Sequence, residues 1–209
     1  MLWVKGGAVS TTISSSETFV IATHNAGKLA EFSAMLRPYV DHVTSAGALG
    51  LDEPEETGAT FAENALIKAR AAAQASGHVA LADDSGLCVT ALGGKPGLYS
   101  ARWAGPQRDF GAAMKRLWNE LGDSADHSAT FISVLALAWP DGRSMLFEGR
   151  ADGALIGTGR GTNGHGYDPW FVPDGYNLTY AEMGAEEKNA ISHRAEALRK
   201  LAAFLAVGA

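Results

Sequence analysis

Cysteine is nearly missing from this chain of 209 residues: Cys88 stands alone, so no internal disulfide can form, and a reducing cytoplasm is the simplest compartment for it. Basic residues are in deficit, 17 Lys and Arg against 23 Asp and Glu, for a net charge of -6. That balance argues against a protein built to grip nucleic acid on a broad basic face. Long apolar runs are missing as well; a stretch such as Phe131 to Trp139 is far too short to cross a bilayer, so no membrane partner is expected. There is no H-E-x-x-H, no cysteine cluster and no G-x-S-x-G, which removes the support for zinc and serine-hydrolase chemistry. No repeat or low-complexity segment interrupts the chain. What is present, 46% hydrophobic and 19% charged residues, describes a globular protein long enough to bury a core. A small anionic ligand stays compatible with the acidic balance, because a few converging Lys, Arg and backbone N–H groups hold it locally.

Residues 1–16 carry Lys5, are broken by Gly6 and Gly7, and turn Ser/Thr-rich through Ser16, without the continuous apolar segment of a secretory signal. The composition predicts a disordered N-terminal extension there, followed by a single domain over 17–209. Thr18 to Thr23 reads as a buried strand, and Gly27 to Arg37 as a helix with Leu29, Phe32, Met35 and Leu36 on one face, ended by Pro38. Thr60-Phe61-Ala62-Glu63 has the T-x-x-E form of a capping box and opens an Ala-rich helix to about Ser76. Val79 to Ala82 predicts a short strand that ends at Asp83-Asp84-Ser85-Gly86, with a second apolar piece over Leu87 to Leu92. Farther on stand a helix from Arg108 to Leu121 and a hairpin of Ala129 to Trp139 with Arg143 to Gly149 around Pro140-Asp141-Gly142. A glycine-dense stretch, Gly157 to Asp168, and a helix from His193 to Val207 close the chain. Early alternation of strands and helices, then paired strands, predicts an α/β fold with a mixed sheet.

Four groups of residues carry possible chemistry, each with a plainer reading beside it. The loop Thr23-His24-Asn25-Ala26-Gly27-Lys28 joins a strand to a helix N-terminus, where free N–H groups and a lysine suit phosphate. It shares only the G-K pair with a Walker loop, and an ordinary helix start is the alternative. Glu55, Glu56, Asp83 and Asp84 fall at the edges of predicted elements, where carboxylates converge on a hard divalent ion; solvated turns are the alternative. Asn64 and Lys68, four apart, share one helix face and point back toward that acidic turn, unless Lys68 is merely solvated; Glu63 belongs to the capping box. Last, His165-Gly166-Tyr167-Asp168 sets a Gly-flanked aromatic beside a carboxylate, a way to cradle a flat base, while Lys188, His193 and Arg194 can donate to base carbonyls or phosphates. The alternative makes Ser192 an N-cap, His193 and Arg194 first-turn residues, and Lys188 an exposed side chain.

Taken in order, THNAGK, EETGATFAENALIKAR, ADDSGL, GGKPGLYSARWAG, GHGYDPWF and EEKNAISHR resemble the inosine triphosphate pyrophosphatase family, the house-cleaning enzymes for dITP, ITP and XTP. The resemblance covers residues 19 to 205. It implies an elongated, two-lobed α/β fold around a mixed, strongly twisted central sheet, a homodimer, and a cytoplasmic pyrophosphohydrolase that yields monophosphate and pyrophosphate. It implies a Mg²⁺ requirement, with Mn²⁺ as a substitute. By position it places the phosphate loop on Thr23 to Lys28, a metal-binding glutamate on Glu55, and the catalytic, metal-binding aspartate on Asp84. Lys68 then falls on a phosphate-associated lysine, and Ser85, His165, Gly166, Tyr167, Asp168, Lys188, His193 and Arg194 on nucleotide-binding positions. The chain departs from the pattern at His165, where the family often has Phe or Trp, and in a shorter loop after Trp103. Two other readings are a Maf-like pyrophosphatase for modified pyrimidine nucleotides, which should lack the Ser192-His193-Arg194 block, and a nucleotide sensor without turnover.

Overall fold

Phe19, Val20 and Ile21 are almost wholly buried, and the strand they form, β2 (Thr18–Ile21), is an interior strand, one in from the edge of the sheet. β-branched and aromatic residues without alternation suit a strand covered on both faces. The computed structural model of the protein describes residues 2–4 and 16–207, with the backbone alone at 2–4, 26, 27, 31 and 207. The disorder expected for 1–16 lies mostly outside the described residues. Leu2–Val4 differ from that expectation, forming strand β1 antiparallel to Ser144–Leu146. Three residues are too few to show an alternation in sequence, whereas a sheet edge needs only their main-chain groups.

Among the described residues seven strands make one mixed sheet in the order β1-β6-β5-β4-β2-β3, with β7 beside β6. The remaining strands are β3 (His42–Ser45), β4 (Val79–Val89), β5 (Ser128–Ala138), β6 (Ser144–Leu155) and β7 (Phe171–Pro173). β2 pairs parallel with both β3 and β4, while β6 pairs antiparallel with β1 and β7. The mixed α/β sheet expected from the sequence is therefore present. Helices α1 (Ala26–Leu36) and α2 (Phe61–Ser76) are the crossovers that parallel pairing requires. α3 (Ser100–Trp103), α4 (Phe110–Leu121), α5 (Ala185–Ile191) and α6 (His193–Val207) complete the chain.

The chain divides into two compact units: Met1–Asp84 with Val134–Glu148 and Ala197–Ala209, and Ser85–Ser133 with Gly149–Glu196. The first unit packs Phe32 and Leu36 of α1 and Leu198, Leu201 and Leu205 of α6 with Phe19, Ile21, Leu81, Leu135, Leu137 and Phe147. Each such side chain contributes on the order of 1.5–3 kcal/mol by leaving water. The second unit builds its own core from Met114, Leu117 and Leu121 of α4 with Leu87, Phe131, Leu155, Phe171, Tyr180 and Met183.

Two elements run past their expected limits. β4 continues through Asp83-Asp84-Ser85-Gly86 instead of breaking there, because lysines from elsewhere in the fold neutralise the two carboxylates. β6 extends beyond Gly149 to Leu155, its outward Glu148, Arg150 and Asp152 alternating with buried Gly149, Ala151 and Gly153. Small inward residues give a strand little hydrophobic signal to read.

Candidate active site

Parallel pairing aligns the site in the first unit. Ile21 sits opposite Leu81, so two residues farther along, Thr23, just past the end of β2, and Asp83, still within β4, stand level where the parallel pairing stops, the end at which α/β sheets bind ligands. Thr23 is buried and its Oγ1 accepts the Asn25 N–H at 3.1 Å; Asn25 Oδ1 accepts the Lys28 N–H at 3.2 Å, a capping bond at the start of α1. Ala26 and Gly27 form the first turn of that helix. His24 is exposed, with Nε2 2.9 Å from the Leu51 carbonyl, and serves the loop rather than the acidic group. Lys28 reaches across to Asp83, bonding its two oxygens at 2.9 and 3.0 Å.

α2 supplies the second lysine. Its capping box is formed, the Glu63 N–H donating to Thr60 Oγ1 and the Thr60 N–H to Glu63 Oε2, which fixes where the helix begins. Its buried face is alanine except for Asn64 and Lys68, the two polar residues that need partners there. Lys68 Nζ donates to Glu56 Oε1 at 2.6 Å and lies 3.9 Å from Asp84 Oδ1. Burial works to lower the Lys68 pKa, but the Glu56 hydrogen bond and the charges of Asp84, Glu56 and Asp83 outweigh it and hold the ammonium above its ordinary value. Lys68 is thus a standing cation and not a base. Asn64 donates to Asp84 Oδ2 at 3.2 Å and accepts the Gly58 N–H at 2.8 Å, so one amide orients the aspartate and ties down the acidic turn.

Glu56 is the carboxylate that meets Lys68, while its neighbour Glu55 is exposed. Glu56, Asp83 and Asp84 offer only oxygen donors, and two of them share one ammonium. Among the described residues no three acidic, His or Cys side chains close into a complete metal cage. Carboxylate oxygens of this kind would suit a hard divalent ion, for which Glu56, Asp83 and Asp84 could supply part of the ligands.

In the second unit Asp168 is the hub. Its Oδ2 accepts the His165 N–H at 2.7 Å and Lys188 Nζ at 2.5 Å, and the carboxylate is nearly out of contact with water. Lys188 lies on α5, a helix the sequence reading leaves out, and it is mostly buried rather than solvated, 5.4 Å above the Tyr180 ring. Gly164 has φ +74°, and a Cβ there would collide with the Asp168 carboxylate. Tyr167 is 3% exposed, its hydroxyl donating to the Ser100 carbonyl at 2.9 Å and its ring edge-on to Phe110. It is a core residue, whereas His165 is exposed beside half-buried Gly166. Ser192 Oγ accepts the Ala195 N–H at 3.2 Å and caps α6, whose first residues are buried His193 and half-buried Arg194. Ser85, half-buried, follows Asp84 on β4.

The sequence reading misses Gly58, Phe131 and Tyr180. A Cβ on Gly58 would stand 2.6 Å from Asn64 Oδ1 and 2.6 Å from Glu63 Cβ, so only glycine leaves room for that clamp. The glycine two residues before a capping box is a faint local signal of it; nothing local marks Phe131 or Tyr180.

Comparison with known proteins shows the family and the fold. A model described as the Ham1 family matches residues 19–204. The dITP/XTP pyrophosphatase of Rhodospirillum centenum is 57% identical over 190 residues, covering 90% of this chain and 94% of its own. The dITP/XTP pyrophosphatase of Gluconobacter oxydans is 54% identical over 186 residues, 89% of each chain. Among solved structures, the Staphylococcus aureus Ham1 protein superposes with a TM-score of 0.86 at 40% identity, over 92% of this chain and 100% of that one. A HAM1 protein from Coxiella burnetii gives 0.87 at 39% identity, over 91% and 99%. Fold and site are those of an α/β protein that gathers carboxylates and lysines at the end of parallel strands. The chain belongs to the Ham1 family.

Proposed function

We propose that this chain is a nucleoside triphosphate pyrophosphohydrolase that converts dITP, ITP and XTP to the monophosphate and pyrophosphate. The observation that carries the reading is the Lys68 ammonium held between Glu56 and Asp84, a preset charge pattern for a polyphosphate, in a chain whose relatives are dITP/XTP pyrophosphatases. Asp84, oriented by Asn64, takes the proton of a water whose oxygen bonds to the α-phosphorus. The bond from the α-phosphorus to the bridging oxygen breaks, and the electron pair leaves with pyrophosphate. Lys28 and Lys68 offset the charge of the triphosphate and of the departing group, which is electrostatic catalysis by prearranged cations. A divalent ion, Mg²⁺ with Mn²⁺ as substitute, supplies further charge neutralisation when held by Asp84 and the Glu55-Glu56 turn. Thr23 to Lys28 accept the phosphates.

Base selection belongs to the second unit. Inosine and xanthosine carry a 6-oxo group where adenine has an amine, so donors at Lys188, His193 and Arg194 pair with the first and leave adenine poorly matched. His165, Gly166 and Asp168 shape that loop, and Ser85 completes the nucleotide contacts. No helix among the described residues is long and apolar enough to cross a membrane. We place the enzyme in the cytoplasm as a homodimer that cleans the nucleotide pool.

The test is a substrate panel with Mg²⁺: ITP, XTP, dITP, GTP, ATP and dTTP, with pyrophosphate and monophosphate measured separately. The inosine and xanthosine nucleotides should be consumed fastest with equimolar pyrophosphate. Preference for dTTP, or release of orthophosphate alone, contradicts the proposal.

A further inference from the structure

One ring of the second unit's core has more to do than fill space. Phe131, on β5, is 7% exposed and lies 4.8 Å from the His193 imidazole, with the two planes only 10° apart. The same ring meets Phe171 edge-on at 4.8 Å and Tyr180 at 6.0 Å and 26°. Phe171 and Tyr180 are fully buried, so Phe131 is itself held by rings that cannot move aside. The backbone at His193 is equally constrained: the Ser192 N–H donates to the Lys188 carbonyl at 2.9 Å, and Ser192 Oγ caps α6.

An imidazole makes its hydrogen bonds in the plane of its ring, and a parallel stack sets that plane. An aliphatic side chain of equal volume fills the same space without setting any plane. We infer that Phe131 is a positioning residue for base discrimination, fixing the plane in which His193 presents its ring nitrogens to the purine. This rests on the reading of His193 as a base-recognising residue.

The experiment compares wild type, Phe131→Met, Phe131→Tyr, His193→Ala and the double variant Phe131→Met/His193→Ala, measuring kcat and KM for ITP and for ATP. In Phe131→Met the preference for ITP over ATP should fall about tenfold through the KM for ITP, with kcat changed less than about threefold. Phe131→Tyr keeps the ring and should restore the preference. In the His193→Ala background, Phe131→Met should add no further loss, because coupled residues are non-additive where independent ones multiply. A preference unchanged in Phe131→Met, or losses that multiply in the double variant, overturns the inference. NMR of the wild type gives a reading that needs no folded variant: ring-current shifts should displace the His193 ring protons upfield, and unshifted protons contradict the stack. A wild type without preference for ITP overturns the base-recognition reading and this inference with it. A preference that survives in Phe131→Met overturns the inference alone.

Discussion

Both units bury a lysine against carboxylates, yet the two arrangements differ in balance. The first sets three acids, Glu56, Asp83 and Asp84, against Lys28 and Lys68, and leaves negative charge over. The second sets one acid against one lysine, Asp168 and Lys188, with the lysine over the Tyr180 ring, which packs in turn on Phe171. Excess carboxylate is useful where a cation and a polyphosphate must be brought together, since it draws in the metal that the phosphates also need. A neutralised pair among rings carries little net field and holds shape, which suits recognition of a flat, uncharged base. Damage to the first unit should therefore slow turnover, and damage to the second should change affinity and choice.

The largest effect should come from Asp84→Asn, which keeps the shape and the Asn64 contact but removes the base. A fall in kcat of about 10³-fold with little change in melting temperature is expected from loss of a positioned proton acceptor. Near-normal turnover would reject Asp84 as the catalytic carboxylate. In Asp168→Asn, by contrast, the KM for ITP should rise about tenfold while kcat stays within about threefold. Thermal unfolding of that variant should show a stability loss on the order of 3 kcal/mol from leaving Lys188 without its charge partner. An equal loss of kcat and kcat/KM would erase the proposed division between the units.

Gly58→Ala is subtler. The new methyl displaces Asn64 and crowds Glu63, so Asp84 loses its orienting donor, while the methyl touches none of Glu56, Asp83, Lys28 and Lys68. A decrease of several-fold in kcat, with KM held, is the expected result in steady-state assays. The smallest effect concerns pH. Because the folded Lys68 pKa is raised, its stabilising contribution is fully present below the unfolded value of about 10.4 and is lost only as pH rises through the folded value. The difference in unfolding free energy between wild type and Lys68→Met should stay constant from neutral pH to about 9 and shrink only in the far alkaline range. A difference that fades between pH 7 and 9 would mean that the acids around Lys68 do not hold its proton.

Legibility from sequence followed the range of the interactions involved. The Thr60 to Glu63 capping box, the α1 face and the span of α6 were readable because each rests on contacts within one or two turns. The sheet's edge strand β1 and the helix α5 were not, since three or seven residues leave too little periodicity. Asp83 and Asp84 read as the end of a strand because two adjacent carboxylates belong inside one only once Lys28 and Lys68 arrive from other elements. The same distance effect separates Glu55 from Glu56: both are acidic and adjacent, and only the fold decides which one faces Lys68. Tyr167 shows the converse case, an aromatic whose neighbours promised a ligand surface while its hydroxyl found the Ser100 carbonyl inside the core.

Whether the acidic unit directs water to the α-phosphorus is read most directly from hydrolysis of ITP in ¹⁸O-enriched water. A single turnover with Mg²⁺, followed by mass spectrometry of both products, should find the label in inosine monophosphate and none in pyrophosphate. Label in pyrophosphate would place the attack on the β-phosphorus, and label in orthophosphate on the γ-phosphorus. Either result would contradict attack of water at the α-phosphorus.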